Sequence, residues 1–304
     1  MINKFGLLTA AIALAPMTGH AATLSATELL QQYNVITRGD FVNRSDDIQG
    51  NAFIGGDLSN GNVFEFGAQD TAPRDDVAEL VVQGNVDSSV GIIRGSNVER
   101  DVFIGGTSNA TLQNSAVLTT DPNLVPQDVF ATLDALSAQL GGLAANSVAG
   151  LSSNRLTLNA NGAANGVAVF DLSIDDLNLG EIDTVLGDAD LVVLNVTGQG
   201  RIATNFLGNA LPFGQKAIWN FTDADNVLFE RTFVGQVLAG GASVENRGNL
   251  EGTLFADSFR QGAQAHLNRF TGEIPAVSAV PLPAGGVLIL SGLAALAGLR
   301  RRKS

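Results

Sequence analysis

Outside the first twenty-one residues, His266 is the only histidine, and the chain has no cysteine. A lone imidazole cannot supply a paired-histidine zinc motif, and thiolate chemistry and disulfides are both absent. No Gly-x-Ser-x-Gly elbow occurs, so a serine nucleophile has no frame to present it. Carboxylates remain, because two acids at the right separation can hydrolyse a glycosidic bond. With 30 acids in the chain, such pairs arise by chance, and none stands out.

Asp183, Asp188 and Asp190 lie close together with Gly187 among them, as do Asp223 and Asp225. Oxygen-rich loops of this kind suit calcium, but neither group follows an EF-hand or a nonapeptide calcium repeat, and both read as solvated acidic turns. Thr197-Gly198-Gln199-Gly200-Arg201-Ile202-Ala203 has dinucleotide-loop spacing without the following helix that would receive a pyrophosphate. Arg38-Gly39-Asp40 spells an adhesion tripeptide, but Gly39 already serves as a turn residue that recurs at Gly84. His266 reads as a hydrogen-bonded surface residue. The chain is therefore expected to be no enzyme, with no cofactor and no metal centre.

The elements that would carry any other role are many short apolar runs separated by Gly, Asn and Ser, the pattern of short strands and tight turns. Ser25-Ala26-Thr27-Glu28 is a capping box that predicts an entry helix over 26–32. Val35 to Phe41 matches Leu80 to Val86 at an offset of 45, and Phe53-Ile54-Gly55-Gly56 recurs as Phe103-Ile104-Gly105-Gly106 at 50. A five-residue insertion accounts for the difference. Related stretches return at Val234–Gly241 and Gly248–Ala256.

Single strands of this size cannot bury an apolar face alone, so the repeats predict stacked coils. The fold class is mainly β, a β-solenoid or β-helix-like column with glycines at the corners to permit positive φ. A β-sandwich with loosely similar hairpins is the alternative. Val129, Leu133, Leu136, Leu140 and Leu143 form one apolar stripe, which predicts a single long α-helix against the flank of the column.

Lys4, the apolar run Phe5–Ala15 and the small residues near Ala22 read as a signal peptide over 1–21. The body spans 22–275, a linker 276–279 follows, and residues 280–304 form a sorting tail. That tail comprises Val280, Pro281, Leu282, Pro283 and Ala284, an apolar segment 285–299, and Arg300, Arg301, Arg302 and Lys303. As a helix, 285–299 rises about 22 Å, short of the roughly 30 Å hydrocarbon core, so it reads as a marginal transmembrane segment with its basic end in the cytoplasm. Five of the 17 basic residues lie in the two targeting segments, leaving 12 against 30 acids in the body, or −18. Such a body is repelled by nucleic acid and anionic head groups, so nucleic acid is excluded as a partner.

The tail resembles the PEP-CTERM class of bacterial sorting signals, in its VPLPA variant. The body, from Tyr33–Phe41 through Leu58 and again from Ala217–Phe221 through Ala239 and Gly252–Pro275, resembles the choice-of-anchor A domain family. The resemblance implies Sec export, C-terminal membrane anchoring, and processing by an exosortase-type membrane protease in an organism that makes exopolysaccharide. It implies a cell-surface or extracellular-matrix protein that contributes to adhesion or biofilm structure. The coil-plus-helix pattern is also similar to that of ice-binding β-solenoids, although no regular Thr-x-Thr array is present. A polysaccharide- or surface-binding module is the second reading.

Overall fold

In a computed structural model the protein is described over residues 21–44, 47–60, 63–69, 74–87, 91–95, 98–163 and 165–274. The signal-peptide segment 1–20, the sorting residues Val280–Ala284, the segment 285–299 and the basic residues Arg300–Lys303 lie outside them. Contacts divide the chain after Gly272 into two units, the first of which holds all the described strands and helices. No helix among the described residues is long and apolar enough to cross a membrane.

The first unit is mainly β, with strands stacked in register to form three-sided coils. Among the described strand pairs, every pairing is parallel except that of Gly150–Leu151 with Arg155–Asn159. The longest sheet runs Ala116–Thr119, Arg100–Ile104, Leu80–Val82, Asn51–Ile54, Tyr33–Thr37, Leu254–Gln261, Gln236–Asn246, Ala217–Phe221, Leu191–Thr197, Val167–Ser173. The chain thus starts in the middle, climbs to one end, crosses to the other end and returns. Its last coil closes onto its first, with Val35 beside Leu254 and Ile36 beside Phe255.

This stacking explains both repeat offsets. Val35 stands beside Ala52, Ala52 beside Leu80, and Leu80 beside Val102, so each offset spans two coils. The first and third coils differ by the five residues that separate 45 from 50.

At the shared corner Gly56 N–H donates to Gly39 O, Gly84 to Gly56 and Gly106 to Gly84, at 3.0, 3.0 and 2.9 Å. None of these four glycines has positive φ, contrary to the expectation from sequence. The reason for glycine is close approach: a Cβ on Gly84 or Gly106 would sit 2.5 Å from the carbonyl oxygen of the rung below.

The entry helix α1, Ala26–Gln32, carries both halves of its capping box, with Ser25 N–H donating to Glu28 Oε2 at 2.8 Å and Glu28 N–H to Ser25 Oγ at 3.3 Å. The second helix α2, Val129–Gly141, buries Val129, Leu133, Leu136 and Leu140 against the column. Strands under this helix are buried on both faces and read as near-continuous apolar runs, as in Tyr33–Thr37 and Ala217–Phe221. Away from it they alternate, as in Val63–Phe66 and Arg155–Asn159.

Arg38 joins helix to column. Its guanidinium lies over Phe130 and Phe255 at 5.6 and 5.0 Å, its Nε donates to Gly240 O at 2.9 Å, and its Nη2 pairs with Asp134. Cation–π contacts, a backbone acceptor and an ion pair account for this residue, so Arg38 is structural here. Inside the column, Glu79 and Arg94 form a fully buried bidentate pair at 3.0 and 3.1 Å.

Candidate binding surface

The residue after each corner glycine is short, polar and exposed: Asp40, Asp57, Asn85 and Thr107. They are linked rung to rung. Asp57 N–H donates to Asp40 Oδ1 at 2.9 Å, Asn85 N–H to Asp57 Oδ1 at 2.6 Å, and Thr107 N–H and Oγ1 to Asn85 Oδ1 at 2.9 and 2.8 Å. Asp40, Asp57 and Asn85 thus each cap the next backbone amide, and Thr107 is tied back to Asn85.

The row continues across the seam where the last coil meets the first. Phe41 pairs with Phe259 and with Leu58, which places Asp40 between Asp57 and Ser258. Ser258 then pairs with Ser243, and Ser243 with Asn226. Thr107, Asn85, Asp57, Asp40, Ser258, Ser243 and Asn226 therefore make a seven-rung row. Rungs of a sheet repeat every ~4.8 Å, so the row spans roughly 29 Å.

Beside it lies a charged row. Arg201 pairs with Glu230 at 2.6 Å, Glu230 with Arg247 at 3.4 Å and Arg247 with Glu245 at 3.2 Å. The exposed Arg201 holds the Glu230 carboxyl below the usual carboxylate range, chiefly through its hydrogen bond. Surface pairs of this type add little to stability.

The acids singled out by sequence go to separate partners. Asp188 Oδ1 accepts from Gly162 N–H at 2.8 Å, Asp190 pairs with Lys216 at 3.3 Å, Asp183 lies 4.0 Å from Arg155, and Asp223 Oδ1 accepts from Gly198 N–H at 2.9 Å. Among the described residues no three His, Cys, Asp or Glu side chains converge as a metal site. Gly198 and Gly200 lie in the left-handed region, at φ +90° and +125°, in a turn between two strands rather than before a helix. His266 is hydrogen-bonded on both sides, Nδ1 to Glu251 at 2.7 Å and Nε2 to Gln264 at 2.9 Å.

A shallow cleft of about 480 Å³ opens where Asn205–Phe206 fails to pair with Phe233–Val234. Phe206, Asn209, Arg231 and Glu251 line it.

Sequence reading missed the polar row, because its members differ in type and lie far apart in the chain. The Gly-polar step, repeated as Gly39-Asp40, Gly56-Asp57, Gly84-Asn85 and Gly106-Thr107, is the signal that marks its first half.

Solved structures similar to this chain include an ice-binding protein from an Antarctic biological consortium, at 16% identity and TM-score 0.37, covering 83% of this chain and 94% of that one. Another is the DUF3494 domain of ice-binding protein 1 from Shewanella frigidimarina, at 14% identity and TM-score 0.38, covering 83% and 99%. No curated protein matches the sequence. A family model described as "Putative Ice-binding-like adhesive domain" matches residues 26–267. This chain, over nearly all of its β column, belongs to that family of ice-binding-like adhesive domains.

Proposed function

We propose that the chain is a non-enzymatic adhesive module that binds an extended, repetitive surface through the flat face bearing the row from Thr107 to Asn226. One observation carries the reading: seven short polar side chains stand one rung apart, and four of them are fixed by hydrogen bonds to an adjacent rung. A rigid periodic row matches a periodic ligand at many weak points without ordering cost at each, which is how multivalent contact gains strength. Membership in an ice-binding-like adhesive family supports the same reading.

The ligand class is a polymer or crystalline surface that presents regularly spaced hydroxyl groups, such as an exopolysaccharide or ice. Co-sedimentation of the full-length protein with insoluble polysaccharides, and partition into growing ice, test it. Ser243→Lys, which places a long cation in the middle of the row, should reduce retention on the bound surface while leaving the melting temperature unchanged. Equal retention of the variant on every surface would remove this face from the reading.

Delivery is part of the proposal. The tail Val280-Pro281-Leu282-Pro283-Ala284 with the basic end Arg300–Lys303 would hold the body outside the cytoplasm until an exosortase-type protease acts near the prolines. Display at the cell surface or in the extracellular matrix, with a contribution to adhesion or biofilm structure, follows from that address. Mass spectrometry of the mature protein should find no peptide beyond about Ala284; an intact Arg300–Lys303 end would mean a permanent anchor.

A further inference from the structure

The two ends of the column are finished differently. At one end the outer edge of Val167–Ser173 is covered: Asn146 and Ser147 N–H both donate to Val169 O, Asn146 Nδ2 donates to Val167 O, and Val169 N–H donates to Asn146 Oδ1, at 2.8–3.1 Å. At the other end Ala116–Thr119 has, among the described residues, a neighbour, Arg100–Ile104, on one side only. In a parallel ladder alternate residues turn their N–H and C=O groups away from a given neighbour, so this strand offers an unpaired edge. The chain leaves it at once, through Asp121 and the short turn Pro122–Leu124, and runs back along the flank, and no described segment covers it.

The side chains there are equally unfinished. Leu118 stands beside the fully buried Val102, an inward position, yet is 54% exposed because no further coil covers it, and Val117 beside it is 41% exposed. Edge strands that stay solitary are usually blunted by Lys, Pro or a covering loop; this one has none. From Val102 to Thr120 there is no charged residue at all, although the body carries −18. Two strongly acidic bodies can approach closely only where both are neutral.

We propose that this end is an interface for a second copy of the chain, with the Ala116–Thr119 edges of two copies pairing antiparallel about a two-fold axis. The covering segment at the opposite end, from Ala135 to Asn154, is also uncharged, so charge alone does not choose between two-fold and head-to-tail association. The backbone does. The edge of Val167–Ser173 that a head-to-tail neighbour would need is already occupied by Asn146 and Ser147. The assembly therefore closes as a dimer instead of growing into a filament.

The absence of native cysteine makes the test direct. Antiparallel partners at the two-fold axis have Cα atoms about 4.5–5.5 Å apart, within disulfide range. Single-cysteine variants of the full-length chain in mild detergent, Val117→Cys and Thr119→Cys at the open end and the 90%-exposed Val148→Cys at the covered end, are oxidised and followed on gels. At least one open-end variant should form covalent dimer about tenfold faster or more than Val148→Cys, because pairing raises the local thiol concentration. Adding Leu118→Lys to that variant should abolish the difference. Equal rates at both ends, no dimer at either open-end position, or preferential linkage of an open-end variant to the Val148→Cys chain in a mixture would each overturn the proposal. Should the Leu118→Lys chain fail to fold, the comparison among the single-cysteine variants still decides.

Discussion

Asn220 Nδ2 donates to Asn195 Oδ1 at 2.9 Å across one rung of the sheet, and both amides also reach the backbone of α2, Asn220 to Ser137 O and Asn195 to Leu140 O, each at 3.0 Å. The helix is thus clamped by a buried polar ladder as well as by its leucines. Removing a buried partner leaves the other group desolvated and unpaired, which costs about 1–3 kcal/mol. Asn220→Ala should lower unfolding stability by about that amount, and Asn195→Ala by less, since its side chain is slightly exposed. Urea unfolding monitored by the single Trp219 measures both.

The Glu79–Arg94 pair is the larger hazard. Breaking a buried ion pair from one side costs about 3–5 kcal/mol, whereas exchanging both partners for apolar residues of like size is often neutral. Glu79→Gln should therefore destabilise the protein more than the double change Glu79→Leu with Arg94→Met, in which Arg100, 3.3 Å from Glu79 Oε1, still keeps Asp75 as a partner. The opposite ranking in denaturant midpoints would show that the pair adds net stability.

At the corner, Gly84→Ala puts a methyl group 2.5 Å from Gly56 O. Neighbouring rungs must separate, so a loss of about 1–3 kcal/mol is expected, with faster amide exchange at Gly84 and Gly106. Gly142→Ala, where the nearest atoms lie 3.5 Å away, serves as the comparison and should change stability little.

Acid should loosen α1 before the column. Glu28 has its carboxyl pKa held below the ordinary 4.5, first by the Ser25 backbone N–H, then by the Ser25 hydroxyl and Arg74. A group whose folded pKa is depressed contributes stability above its unfolded pKa and loses it as pH falls through the folded value. Stability should thus decline below about pH 4.5, and Glu28→Gln should be less stable at pH 7 but show a shallower decline. Thermal melts from pH 7 to pH 3 check the sign.

How much of this was legible in the sequence depended on how local the cause was. Both helices follow from neighbouring residues, the capping box at Ser25 and Glu28 and the leucine stripe from Val129, and both stand where expected. Stacked coils were legible through the glycine corners, but the true coil was not, because Val35 and Leu80 are two rungs apart and the intervening rung, Ala52, is reached only through non-local pairing. Rung order was hidden for the same reason, since nothing near Tyr33–Thr37 indicates that its other neighbour is Leu254–Gln261. The polar row was half visible in the Gly-polar steps. Its other half, Ser258, Ser243 and Asn226, is defined only once the last coil has met the first.

That meeting has a consequence for the chain as it emerges. The seam between Val35 and Leu254 joins residues more than two hundred positions apart, so the early coils are made long before their partner rung exists. Folding dominated by such distant pairings is slow and leaves strand edges unguarded while it waits. The coils from Tyr33 to Thr119 should accordingly depend on a chaperone that holds them until the chain is complete, and a chain truncated before Leu254 should aggregate even though most of its own rungs are present.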